Sequence, residues 1–432
     1  MTAIIHQLQS QGIQLPSPYG PETQNWNFKH QLEDQEALFY INILHKQALL
    51  SFEYDVCCAE LEEGSLNPEN FDKSLQRLII VLMIAEMLEH LYTCYLNAPS
   101  EIGRLRRDQK IFRMLLTQQG YQFDAFYIQD DTHLAFFIKK IRDITTQFNF
   151  SRVLMTRIRQ LLSTLDRLIT SLKTYHDVVL FINAYISPIL SHLVWIFFTP
   201  RLLVNLGLLL KHTIPGWWMT EQEKALGLQN RIAMQWDLRW FELTNDAVWV
   251  FVGLGNCFVL VNTLTPYGPY LTLVRHVFDV ILTSLKAYFE INRLNHLKQT
   301  YENMLQNPTV SLETRNEIIN YLIQLNKRLT YESTRYYARA ISAFALFLAI
   351  TLTMPIFAST PMITLIGAVS AVFITLFSSW LEPKKPADVV MQLNTHGLFR
   401  AMSRDERLLP NAVRDEYVID LTANEMCNGT II

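Results

Sequence analysis

The chain has 432 residues, half of them hydrophobic, and its 37 basic and 40 acidic side chains leave a formal net charge of -3. Lacking a cluster of Lys and Arg on one face, that balance argues against a nucleic-acid partner, and no catalytic, cofactor-binding or metal-ligating motif is present. Charge is spread unevenly: residues 1–177 are rich in it, whereas 340–381 hold no Asp, Glu, Lys or Arg, the segregation expected of a membrane protein with a water-facing part.

Residues 1–29 carry Gln, Pro, Gly and Ser and read as a flexible lead-in; the first Lys is Lys29, so no basic export leader is expected. Residues 30–177 read as a cytoplasmic helical domain. A first amphipathic stretch stops at Gly64, and Asn67 and Pro68 restart a helix. Its segment 78–96 is apolar enough for a span, yet Glu86, Glu89, His90, Thr93 and Asn97 recur at helical spacing. This pattern predicts a bundle helix with a solvated polar face, and Glu-x-x-Glu-His fits neither di-iron nor zinc-peptidase spacing. Residues 131–177 read as one long helix in which Leu154, Ile158, Leu161, Leu165, Leu168, Leu172 and Tyr175 form a heptad seam. Cys57, Cys58, Cys94, Cys257 and Cys427 lack zinc or redox spacing and read as reduced structural thiols.

Residues 178–289 form the first membrane region. The uncharged run 178–200 and the shorter run up to 210 make one span or a shallow hairpin, and 247–264 with 270–289 make a transmembrane hairpin about TPYGP. Residues 290–339 continue as a helical-hairpin stalk turning at Asn307-Pro308, 340–381 form a second transmembrane hairpin, and 382–432 a cytoplasmic tail. Lys and Arg cluster in 201–246, in 290–339 and at Lys384 and Lys385, which puts these stretches on one cytoplasmic side. The expected class is therefore an all-α, polytopic helical membrane protein. Placing the domain 30–177 on the same side requires an even number of crossings, either six, or four with a re-entrant element.

The segment LTLVRHVFDVILTSL, 271–285, sets Arg275, His276 and Asp279 inside a span. Its aliphatic and aromatic residues favour insertion by roughly 3 to 5 kcal/mol, but a central Asp alone costs about 3 kcal/mol, so the helix needs its hairpin partner. Register about TPYGP sets Asn256 level with Phe278, beside Asp279, and Gly253 and Gly255 let the two backbones approach. The expected intramembrane polar cluster is Asn256, Arg275, His276 and Asp279, read as a clamp on the hairpin or as part of an ion path; burial of the segment in a soluble bundle is the third reading.

At Trp240-Phe241-Glu242-Leu243-Thr244-Asn245-Asp246-Ala247-Val248-Trp249, followed by Phe278-Asp279-Val280, the chain resembles multi-helix membrane proteins of Legionella- and Coxiella-type bacteria. The likeness covers 239–294 and implies no activity. It implies that Asn245, Asp246, Trp249, Asp279 and Glu290 belong to one structural motif. The expected role is a non-catalytic interaction or membrane-organising protein of the bacterial inner membrane. Its partners would be the lipid bilayer and a protein, or a second copy, met through 151–177 and 290–339. The alternatives are a channel or transporter using Asp279 with Arg275, and a secreted effector inserted into a host membrane.

Overall fold

The computed structural model describes residues 25–378 apart from 36, 45, 66–70, 97, 124–131, 170–171, 220 and 308–310. The tail expected at 382–432, most of the lead-in, the restart at Asn67, Asn97 and Cys427 lie outside the described residues. The fold is all-α, with one two-residue parallel strand pair joining the edges of its first half.

That half is a helical bundle. Strand β1 (Asn25–Trp26) leads to α1 (Phe28–Glu33), α2 (Ala37–Leu44), α3 (Gln47–Ser65), α4 (Phe71–Leu91), which runs into a π turn at Tyr92–Leu96, α5 (Pro99–Thr117) and β2 (Gln122–Phe123), whose Gln122 faces Asn25. The apolar stretch of α4 is the centre of this bundle: Leu78, Val81, Leu82, Ile84, Ala85, Leu88 and Leu91 are fully enclosed. Its polar stripe is not the solvated face expected from spacing. Glu86 and Glu89 are buried, Glu86 taking the Trp26 indole N–H at 3.0 Å and the Arg113 guanidinium, and Glu89 taking Arg106 at 2.7 Å and Gln109 at 3.0 Å. Burying a carboxylate is tolerable only with such partners. Thr93 alone of the described stripe is exposed.

The second half is a layer of long helices: α6 (Thr132–Leu168), α7 (Lys173–Phe181), continued by a π turn at Ile182–Ile186 into α8 (Ser187–Thr213), the short α9 (Glu221–Ala225), α10 (Leu228–Leu254), α11 (Gly268–Gln306), α12 (Leu312–Leu352) and α13 (Pro361–Ser378). From 173 to 213 the helical run is continuous, Pro188 standing in the first turn of α8 and Pro200 inside it. Ser311 caps α12, its hydroxyl accepting from the Thr314 N–H at 3.2 Å. Helix α12 packs against α11 and α13, α8 against α10, and α6 against α13 and α8. Helix α6 therefore leaves the bundle. It climbs the layer toward the end that holds the connections 262–267 and 353–360, where the Gln160 amide meets Thr353 Oγ1 at 2.7 Å and Arg159 meets Ser187 Oγ at 2.6 Å. The heptad seam stops with the helix at Leu168; Leu172 is exposed, and Tyr175 folds back to the Leu162 carbonyl at 2.9 Å.

Among the described residues, four helical runs are long and apolar enough to cross a membrane: Ser74–Leu96, Lys173–Thr213, Thr314–Leu352 and Pro361–Ser378. The first is mostly enclosed by the bundle, while the other three keep most of their surface outside. Helices α10 and α11, which take up 247–254 and 270–289 of the expected hairpin, are not among the four. The lower ends of α11 and α12 share the bundle core through Leu294, Leu297, Tyr301, Ile318, Tyr321 and Leu325. The Tyr301 hydroxyl reaches Glu53 at 3.1 Å, and Arg328 lies 3.5 Å from Asp55. The apolar stripe of 290–339 is thus occupied within the chain.

Candidate functional site

A group of buried polar side chains lies between α6, α8, α10 and α11. On α10, Asn245, Asp246, Trp249 and Gly253 follow one helix face by steps of one, three and four residues. At Gly253 a Cβ would stand 3.1 Å from Val194 and Trp195, so the missing side chain lets α8 lie close. That approach presses Phe198 flat on Trp249, ring centroids 5.0 Å apart with 4° between planes. Three residues further along α8, Arg201 gives Nε to Asp246 Oδ2 at 2.7 Å and Nη2 to Oδ1, with the Asn245 amide at 3.3 Å from the same oxygen.

Trp249 also receives two cations. The Arg275 guanidinium carbon lies 3.9 Å from the ring centroid and that of Arg152 lies 5.2 Å away. A guanidinium sheds its hydration more readily than an ammonium, and an indole face holds it by its quadrupole, so this is a feasible way to bury arginine in apolar surroundings. Beyond it stands His276, with Nε2 3.0 Å from Arg157 Nη2 and Nδ1 3.0 Å from Arg275 Nη2. A neutral imidazole has one accepting nitrogen, so two guanidinium donors face one acceptor. Asp279 closes the group at 3.7 Å from Arg275 and 3.6 Å from His276.

Arg152, Arg157, Arg275 and His276 are all buried. Asp246 neutralises Arg201, which leaves three guanidiniums against the single carboxylate of Asp279. The shortage of acceptors is visible atom by atom: Nε of Arg157 and Nε of Arg275 are buried without a hydrogen-bond partner. The arrangement is a donor-rich interior suited to holding helices together and to meeting negative charge. Among the described residues, no group of three His, Cys, Asp or Glu is arranged to hold a metal ion.

The structure brings Arg275, His276 and Asp279 together and leaves Asn256 apart. Helix α10 ends at Leu254, and a π turn at Gly255–Val259 and a 3-10 turn at Asn262–Tyr267 replace the last part of the helix expected over 247–264. Asn256 consequently lies beside Gly268, where a Cβ would stand 3.2 Å from its Oδ1, and the amide–carboxylate pair with Asp279 does not form. No protein-family model, curated protein or solved structure matches this chain. Of the five residues that the resemblance grouped, Asn245, Asp246, Trp249 and Asp279 belong to this linked network, while Glu290 pairs with Arg293 at 2.8 Å. Sequence reasoning missed Arg152, Arg157 and Arg201. For Arg152 and Arg157 the available signal was charge on an otherwise heptad-patterned helix, which reads equally well as a helix in water; Arg201 stood at the start of a basic stretch and read as a marker of the cytoplasmic side.

Proposed function

We propose that the chain is an integral membrane protein with a non-catalytic role in interaction or membrane organisation. In this reading α6, α7 with α8, α10, α11, α12 and α13 cross the bilayer, and the bundle stands on the cytoplasmic side. One observation carries it: the layer is inside-out relative to a water-soluble bundle. Large apolar side chains point outward, with Phe251 70%, Ile341 67% and Met362 62% exposed, while arginine and aspartate are enclosed. Contiguous exposed apolar surface marks contact with lipid or partner, and charges inside a membrane protein face its interior. Six crossings return both ends to one side, and α6 supplies the crossing that parity demands. The basic stretches 201–246 and 290–339, at the bundle end, support the orientation. Alkaline carbonate extraction tests the reading: the protein is expected in the membrane pellet, and its release into the supernatant would overturn integral insertion.

The excess of guanidinium over carboxylate favours a second reading, passage of an anion through the arginine cluster. It predicts anion-selective flux in vesicles containing the purified protein, lost in Arg275→Gln and retained in Asp279→Asn. Equal leakage from vesicles with and without the protein would remove this reading and leave the cluster a clamp.

A further inference from the structure

At the opposite end of the layer from the connections 262–267 and 353–360, a cavity of about 300 Å³ opens between α10, α11, α12 and α13. Lys286 and Arg339 line it together with Thr283, Tyr336, Ser342 and Ser378, whose hydroxyl donates to the Thr375 carbonyl at 3.0 Å, and Phe241 forms one wall. No carboxylate is among the described residues of the lining. The Lys286 ammonium rests on the Phe241 ring, 3.8 Å from its centroid, an arrangement that holds the cation in place; Glu242 and Glu290 act on it from further away.

Position gives the cavity its meaning. From Gly268 at the head of α11 to Lys286 the helix rises about 27 Å, and α13, with 18 residues, rises about the same before ending at Ser378. In the membrane reading that rise approaches the roughly 30 Å hydrocarbon thickness of a bilayer, which would put Lys286, Arg339 and Ser378 near the level of lipid headgroups on the bundle side. Beside the cavity, Ile281, Leu285 and Ile341 are exposed and continue as an apolar surface toward the other end. A ligand seated here meets two cations and the hydroxyl-bearing Thr283 and Ser342 at one end and hydrocarbon along its length.

We propose that this cavity holds the phosphate of an anionic phospholipid, gripped by Lys286 and Arg339 and hydrogen-bonded by Thr283 and Ser342, with the acyl chains lying on the outer face of α11 and α12. Two cations and hydroxyl donors match a phosphodiester, and a zwitterionic headgroup would bring an ammonium toward Lys286 and Arg339. The inference rests on the membrane reading given above.

The test uses the full chain in a neutral detergent, with short-chain phosphatidylglycerol, short-chain phosphatidylcholine and inorganic phosphate as probes and the rise in melting temperature as readout. Phosphatidylglycerol is expected to stabilise the protein, and phosphatidylcholine and phosphate to do so far less. Lys286→Gln and Arg339→Gln should each weaken the phosphatidylglycerol response about fivefold, the worth of one basic group at a lipid surface. Ser342→Leu should abolish it by filling the cavity with both cations intact, which keeps the test decisive if a charge variant fails to fold. Lys286→Arg should preserve it. Equal phosphatidylglycerol responses in wild type and Ser342→Leu would overturn the proposal, as would phosphate alone reproducing the lipid's effect, which would make the ligand a soluble anion. Carbonate extraction of the same preparation separates the two levels. Release from membranes sinks the membrane reading, whereas retention with no headgroup preference sinks only the lipid site.

Discussion

Arg201 grips Asp246 with both arms of its guanidinium, Nε and Nη2 each on a different carboxylate oxygen, and the carboxylate is wholly buried. The pair ties α8 to α10 at the point where Phe198 and Trp249 stack, so charge, ring contact and helix approach are fixed together. Asp246→Ala would strand a guanidinium in apolar surroundings and is expected to cost about 3 to 5 kcal/mol. Replacing both partners, Arg201→Leu with Asp246→Leu, should recover much of that loss. Melting temperatures in detergent check the order: the double variant must melt above the single one.

Trp249 is the only ring in contact with both Arg275 and Arg152 among the described residues, which makes it the neutral counterpart of two buried cations. Trp249→Phe keeps a weaker π face and should cost about 1 to 2 kcal/mol, while Trp249→Leu, which keeps only bulk, should cost more. Thermal denaturation of the two variants checks this, and equal losses would mean that the ring acts through packing alone.

Gly367 faces the backbone of α12 so closely that a Cβ would stand 2.7 Å from the Ala349 carbonyl oxygen. Thr364, Ala368, Ala371 and Thr375 continue this face of buried small residues along α13. Gly367→Val should separate α12 from α13 and cost at least about 1 to 3 kcal/mol, whereas Val369→Leu on the exposed side should be silent. Limited proteolysis at 353–360 reads the difference, with faster cleavage expected only in the first variant.

The bundle should report pH through Asp108. Burial pushes its carboxyl above the ordinary value, against the pull of the Tyr54 hydroxyl, 2.7 Å away, and of Arg104 and Arg107. A carboxyl whose folded pKa is raised contributes stability that is fully present below the unfolded value and is lost as pH rises through the folded value. Asp108→Asn keeps an acceptor for Tyr54 without the charge. Its stability relative to wild type should therefore be lowest below the ordinary carboxyl pKa and grow as pH rises through the raised folded value. A difference that does not change with pH, measured by urea unfolding, would contradict the assignment.

Sidedness is measurable by single cysteines. Tyr267→Cys and Thr360→Cys lie in the two exposed connections, and Lys173→Cys lies beyond α6. All three should label from the face opposite Gln118→Cys and Glu302→Cys, with the unsubstituted chain as blank. Labelling of position 173 together with position 118 would remove α6 from the crossing set.

The long uncharged helices were legible in the sequence because hydropathy and helical spacing agree there: 340–352 and 361–378 carry nothing that competes with burial in lipid. Helix α6 was not, because Arg152, Arg157 and Arg159 read as contact with water. What answers them, Trp249, His276 and Ser187, comes from three other helices and leaves no mark on local spacing. The same holds for Glu86 and Glu89, whose partners Trp26, Arg113 and Arg106 lie on other elements. At Asn256 the obstacle was different. Register counting assumes that α-helix continues to the turn, and one π turn and one 3-10 turn were enough to move the amide away from Asp279.

The ties between Glu53 and Tyr301, Asp55 and Arg328, and Gln235 and the Tyr95 carbonyl have a mechanical consequence. Helix α11 is a beam of 39 residues, about 58 Å long, whose lower end is built into the bundle while its upper end carries Arg275 and Asp279. A load applied to the bundle has no joint within α11 in which to dissipate. A displacement of the bundle end of α11 is therefore expected to shift or tilt Arg275 and Asp279 with it.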